Sequence, residues 1–465
     1  MYRKNLQTTT EPLPETINNL NSLQSSVPGK SAEEPYTKQN GRSILSTIFV
    51  LMIALTYMGC ESGGSVGSGI ITDRESVEVN SYDISTANVI HENSYSGRLQ
   101  YTPAGHVVDP LHGTIRSVAL LKPVITQAGL DAIGDDDRIF LSLIFGDDVY
   151  GSEFAESSYE IYEAATIWRG NQLRYNQEAE VDVDFSKKVG EFQVVSSDSM
   201  TVELSSEWKN KFAEYFNSET ADRDSLYRNN FPGLAIVPSS GNQNLRFLRT
   251  GGDSDQPNLS VTKFLVKSPA EESDEDEGED EGEDENEEGE ENGSGEQVTE
   301  LGLRDWGASF VRSDVPQNDV GFVLYNTETV LEIQADVPYT QLSSKNITNA
   351  QLILTKNLSF EQAVPGFERL SPDLVQVHVF DEIPNDLMGE IFITDPDFFV
   401  VNEEEENTFR VDITQFIIDQ AYGEQNDNKL YLTIQVINGL LYTTAFYDHQ
   451  APADVKPRIV ITTIN

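Results

Sequence analysis

The stretch F-R-V-D-I-T-Q-F-I-I-D-Q-A-Y-G, Phe409 to Gly423, sets the fold class. Its first five residues alternate apolar and polar side chains, the period of a strand with one face in a core. Thr414 then offers an N-cap hydroxyl, and Thr414 to Tyr422 reads as a short amphipathic helix. The same order occurs earlier. M-T-V-E-L-S-S-E-W, from Met200, is a strand leading to Ser205, a second candidate cap. The helix that follows places Trp208, Phe212, Tyr215 and Phe216 on one face.

Working outward, the two halves of the chain share further signals. I-R-S-V-A-L-L-K-P at Ile115 parallels I-T-N-A-Q-L-I-L-T-K at Ile347, and each half closes on a Pro and a strand, Q-P-N-L-S-V-T-K-F-L-V and K-P-R-I-V-I-T-T-I. Short strand candidates separated by turn residues fill both halves. This pattern predicts an all-β chain of two antiparallel, jelly-roll-like β-sandwich modules with short helices, over 75–268 and 299–465. Between them, 269–298 is read as a disordered acidic linker, because 16 of the 21 residues from Glu271 to Glu291 are Asp or Glu and like charges at that density resist collapse.

The N-terminal part has another texture. Residues 1–42 are polar and read as a disordered leader, either a cytoplasmic extension or a misassigned start. An apolar run of about fifteen residues, Ile44 to Met58, follows Lys38 and Arg42 and ends at Gly59 and Cys60, the only cysteine. The run is short of the roughly 20 residues a spanning helix needs. The layout over 43–60, with a Gly/Ser tether at 61–74, predicts a lipoprotein signal with Cys60 as the lipidated residue. An uncleaved anchor helix is the alternative. The expected location is the bacterial cell envelope, as an outer-membrane-anchored lipoprotein facing the surface or the periplasm.

Composition narrows the partners. The formal net charge is −47, which opposes binding to phosphate-rich nucleic acid and to bare anionic lipid. Membrane attachment therefore falls to the lipid or the apolar run. One cysteine allows no internal disulfide, and the five histidines form no metal-ligand spacing. No G-x-S-x-G elbow or phosphate loop occurs, so the expected role is non-enzymatic.

Here the residues reach a resemblance. I-T-N-A-Q-L-I-L, F-R-V-D-I-T-Q-F-I-I-D-Q-A-Y-G, N-K-L-Y-L-T-I and K-P-R-I-V-I-T resemble the DNRLRE-type β-sandwich of secreted carbohydrate-binding modules and cell-surface proteins. The chain also resembles uncharacterised Bacteroidota-type lipoproteins of a domain-of-unknown-function family. Asp109-Pro110-Leu111-His112-Gly113 and Gly233-Leu234-Ala235-Ile236-Val237-Pro238 carry that likeness. It implies a surface or periplasmic β-sandwich lipoprotein and brings no catalytic residues.

Candidate site residues come from chemistry. Flat aromatic rings stack on sugars, so Trp168 with Arg169 is the first candidate for a ligand-binding edge, set against plain core packing. Tyr442 and Tyr447 are candidates for a second loop face, or alternate into the core. Asp135, Asp136 and Asp137 could hold Ca²⁺ through carboxylate oxygens or form a solvated turn; no other cofactor is implied. The expected partners are a polysaccharide or another surface polymer, with an envelope protein as the alternative partner of a structural or assembly component. A hydrolase ranks below both.

Overall fold

A computed structural model of the chain describes residues 76–176, 181–194, 198–252, 259–269, 297–316, 321–359, 365–402, 407–423 and 428–464. The leader, the apolar run with Cys60, the tether and nearly all of the acidic run lie outside them. The alternation seen in the sequence becomes sheet faces. In β3 (Gly113–Pro123), Ala119 and Leu121 enter one core cluster while Val118 and Leu120 enter another on the opposite face.

The chain is all-β and antiparallel, built as two sandwich-like bodies with five short helices among the described residues. The first contains β2 (Tyr101–Asp109), β3, β4 (Arg138–Gly151), β5 (Ser157–Ala164), β6 (Val183–Val194) and β7 (Ser199–Glu203). It continues through α1 (Ser206–Phe216), α2 (Arg223–Asn230), β8 (Leu234–Pro238), β9 (Asn244–Arg249) and β10 (Lys263–Ser268). Two strands beyond the acidic run, β11 (Gln297–Leu301) and β12 (Leu303–Ser313), complete it.

The second contains β13 (Phe322–Tyr325), β14 (Thr329–Ala335), α3 (Tyr339–Leu342), β15 (Asn346–Thr355), β16 (Leu374–His378), α4 (Leu387–Ile393) and β17 (Phe398–Val401). It closes with β18 (Thr408–Asp412), α5 (Thr414–Tyr422), β19 (Lys429–Ile434), β20 (Thr443–Phe446) and β21 (Arg458–Ile464). One strand from the start of the chain joins this sheet: β1 (Val77–His91) lies between β14 and β21.

These pairings correct the expected module boundaries at 75–268 and 299–465. β10 and β11 are hydrogen-bonded neighbours, with Ser268 opposite Gln297, so the acidic run joins two paired strands of one sheet. The crossing between sandwiches falls instead after Ser313. β1, expected in the first module, pairs in the second. Alternation alone reveals that a segment is a strand, and says nothing of which edge it joins.

The two sandwiches share an order of pairings. β4 lies between β7 and β10, and β15 between β18 and β21. β5 pairs with β6 and β8, and β16 with β17 and β19. β2 pairs with β9, and β13 with β20. β3 pairs with β8 and β12, and β14 with β19 and β1. Topology therefore matches β15 to β4, and β3 to β14, whereas the sequence likeness set Ile115 beside Ile347. The Met200 and Phe409 strands do occupy matching places.

The helices follow their sequence signals. α1 buries Trp208, Phe212 and Phe216, and the Ser205 side chain accepts the Trp208 backbone N–H at 3.4 Å. Thr414, expected to cap α5, is instead the first helical residue. Its Oγ1 donates to Asp412 Oδ1 at 2.6 Å and accepts the Ala350 backbone N–H at 2.8 Å, fastening the helix to β15.

Candidate binding groove

Two grooves and one buried charge network carry the chemistry of the surface and the seam. The larger groove, about 1010 Å³, opens where β2, β3, β5, β6 and β8 meet. Register sets His106 on β2 directly opposite Arg116 on β3, so both side chains leave the same face. Burial lowers the pKa of the Arg116 guanidinium. Ser158, Glu160, Glu191 and Gln193 line the β5–β6 side.

The acidic end is organised rather than free. Lys188 Nζ donates to Glu160 Oε1 at 2.7 Å and to Glu191 Oε2 at 2.6 Å, and Tyr162 OH donates to Glu160 Oε2 at 2.9 Å. The Lys188 hydrogen bond is the chief cause of the lowered Glu160 pKa. Phe185 stands at the rim, 63% exposed and edge-on to Tyr162 at 5.2 Å. Phe185 was not among the sequence candidates. It sits in V-D-F-S-K-K-V, an edge strand whose two lysines hide its alternation.

The named candidates fall elsewhere. Trp168 is a core residue, 4% exposed, and is not a binding edge. Its indole N–H donates to the Pro232 carbonyl at 2.7 Å, and Lys122 Nζ lies 4.6 Å from its ring centroid. With Tyr162 and Leu173 it seals the outer face of β3, β5 and β8. Burial lowers the Lys122 pKa to about 8. Arg169 is half-buried beside it and donates to Asn229 Oδ1 at 2.9 Å.

Tyr442 packs against the cluster of Leu440, Leu441 and Tyr150, and burial raises its phenol pKa to about 12. Tyr447 is half-buried and its backbone N–H donates to the Thr355 carbonyl at 3.0 Å. The two tyrosines therefore do not form the expected open loop face. Asp135, Asp136 and Asp137 form a turn: Asp137 Oδ2 accepts the Gly134 N–H at 2.7 Å, and Lys209 Nζ binds the Asp135 carbonyl at 2.6 Å. A lysine ammonium on that backbone works against a Ca²⁺ site there. Among the described residues, no group of three His, Cys, Asp or Glu side chains is placed to hold a metal ion.

At the seam between the sandwiches, the D-P-L-H-G turn gains a role the sequence did not show. Asp109 Oδ1 accepts the backbone N–H of Leu111 at 2.8 Å and of His112 at 3.2 Å. Its Oδ2 accepts Tyr150 OH at 2.8 Å, and Arg369 from the second sandwich holds both oxygens. Burial pushes the Asp109 pKa up, but the Arg369 hydrogen bond and the Leu111 N–H outweigh it and hold the pKa below the usual range. Next to it, Arg312 Nε donates to Glu328 Oε2 at 2.7 Å and Arg312 Nη1 to the His112 carbonyl at 3.1 Å.

The smaller groove, about 330 Å³, lies over this pair and is lined by His91, Asn93, Asn176, Arg312, Tyr325 and Glu328 among others. Its two charges are satisfied by each other. A second bridge joins the segments that cover the outer faces of the sandwiches: Arg174 Nη1 donates to Asp386 Oδ1 at 3.0 Å, and its guanidinium lies 4.1 Å from the Tyr95 ring. No helix among the described residues is long and apolar enough to cross a membrane.

No protein-family model matches the chain, and no curated protein matches it either.

Proposed function

We propose that the chain is a non-enzymatic binding protein of the bacterial cell envelope, anchored through Cys60 and engaging a carbohydrate or another surface polymer in the groove of the first sandwich. The observation that carries the groove is Phe185. A large ring left 63% exposed at the rim of a polar trough has the arrangement in which an aromatic face meets a sugar while hydroxyl, amide and charged groups fix its orientation. The volume suits several sugar units. The resemblance to carbohydrate-binding β-sandwiches and to Bacteroidota-type lipoproteins points the same way. The anchor rests on the apolar run and the lone cysteine.

A glycan array probed with the folded portion, alongside Phe185→Ala, tests the groove. Polymer binding lost in the variant is the expected result, and equal signal from both proteins overturns it. Metabolic labelling with a fatty-acid probe, comparing wild type with Cys60→Ala, tests the anchor.

A structural or assembly component of an envelope complex is the second reading. Strand β17, which among the described residues has β16 as its one ladder partner, favours it. That strand exposes Phe399 and Val401 on one face, an apolar pair that a partner surface could cover.

A further inference from the structure

The strand that opens the folded part of the chain completes the sandwich that ends it. β1 makes seven residue pairs with β21, from Val77 opposite Ile464 to Asp83 opposite Arg458. It makes seven more with β14, from Ile84 opposite Ala335 to His91 opposite Thr329, with an irregularity between Ile84 and Thr86. Ile84 is 4% exposed in the core of the second sandwich, and Tyr82, Ala87 and Val89 pack against that core. In the first sandwich the same place is filled by β11 and β12, the next two strands after β10, which pair with β10 and β3. Among the described residues, the second sandwich draws this strand from outside its own segment. β1 supplies it from the other end of the chain.

We propose that β1 is a closing clip. The second sandwich presents a strand-accepting slot formed by the edges of β14 and β21, and its occupant is residues 77–91 of the same chain. Emptying the slot leaves the backbone donors and acceptors of two strands unpaired and uncovers the core around Leu331, Ile333 and Ile459. The first sandwich keeps its own closing strands throughout. Release of the clip therefore opens one sandwich and spares the other.

Two ion pairs flank the slot. The Glu78 carboxylate pairs with Lys345, and Asp83 accepts from Lys456 Nζ at 2.5 Å. Both pairs lie at the surface and contribute little; the register is held by Ile84, which a one-residue slip would turn to solvent.

The tryptophans allow a selective test in the full chain. Trp168, Trp208 and Trp306 all belong to the first sandwich. Ile84→Asp places a charge at the buried position of the clip. Amide exchange in β14 and β21 is expected to quicken by about tenfold or more, with the tryptophan emission and its unfolding midpoint unchanged. A synthetic peptide of residues 76–91 with the native sequence, added in trans, is expected to restore protection. Unchanged exchange in β14 and β21, or joint loss of the tryptophan signal, overturns the proposal, as does a peptide that restores nothing.

A circular permutant provides the second measurement. It carries residues 76–92 after Asn465 through a short hairpin loop, since Val77 already lies opposite Ile464. It is expected to unfold at the wild-type midpoint, and failure to fold counts against a separable clip.

Discussion

Arg369 grips Asp109 with two nitrogens, Nε at 2.7 Å from Oδ2 and Nη2 at 2.9 Å from Oδ1. The carboxylate is fully buried and the guanidinium nearly so. Each comes from a different sandwich, so the pair is a strut across the seam. Charge-assisted, bidentate geometry of this kind is strong, and breaking such a pair from one side strands a buried charge. Arg369→Met is expected to destabilise the protein by about 3–5 kcal/mol, read as a lower urea midpoint. Asp109→Asn is expected to cost less, because the amide keeps one acceptor for Tyr150 or the turn. A double-mutant cycle should return a coupling well above the experimental error; additive single effects would remove the strut.

Trp168 is expected to behave as a core residue. Trp168→Ala removes the ring beneath Lys122 and the hydrogen bond to Pro232, at a cost of about 3–5 kcal/mol, with polymer binding unchanged in whatever fraction stays folded. Arg169→Ala is expected to shift stability by less than about 0.5 kcal/mol. Chemical denaturation of both variants beside a binding assay checks the pair.

The contrast between Trp168 and Phe185 shows what the sequence could carry. Strand alternation, the two short helices with the Ser205 cap, and the all-β class were legible because they depend on neighbours in sequence, whereas the expected Thr414 cap is not formed. α5 occupies the expected Thr414–Tyr422. Pairing partners were not legible, since β1 and β12 look like any half-buried strand until their edges are known. β12 was missed outright, partly because Gly307 interrupts it. That glycine is needed where β12 passes within van der Waals contact of Gly97 and a Cβ would meet the Gly97 Cα at 2.7 Å. An aromatic residue's exposure depends on the covering segment, so Trp168 could not be separated from Phe185 by type or context. Asp109 lay inside a quoted motif, but its partner Arg369 is 260 residues away.

Cutting the chain inside the acidic run is expected to leave the protein whole. The run joins β10 to β11, and the piece beyond it is held by the β3–β12 ladder and by Leu301, Ala308 and Phe310 in the cores. A protease site introduced between residues 270 and 296 should give two fragments that co-elute on size exclusion and separate only in denaturant. Fragments that part under native conditions would restore the reading of that run as a tether between independent modules.

Acid is expected to weaken the fold well before the carboxylates titrate. Burial lowers the His112 pKa to about 4, with Arg312 and Arg369 adding to the effect and Asp109 opposing it. Burial alone lowers His378 to about 4, and among the described residues its Nε2 has no hydrogen-bond partner. Both imidazoles are neutral in the folded state and take a proton near pH 6.5 when unfolded. The folded pKa is the depressed one, so their contribution is complete above about pH 6.5 and is lost as pH falls toward about 4. In that window the unfolded state binds up to about two more protons, which makes stability fall by about 1.4 kcal/mol per pH unit for each histidine. His378 lies parallel to Phe380 at 6.2 Å, a site that accepts a ring without a proton. His378→Phe should therefore remove about half of the slope between pH 6 and 4.5 while leaving stability near pH 7.5 little changed. Urea midpoints across that range decide it, and an unaltered slope would mean that His378 is already protonated in the folded protein.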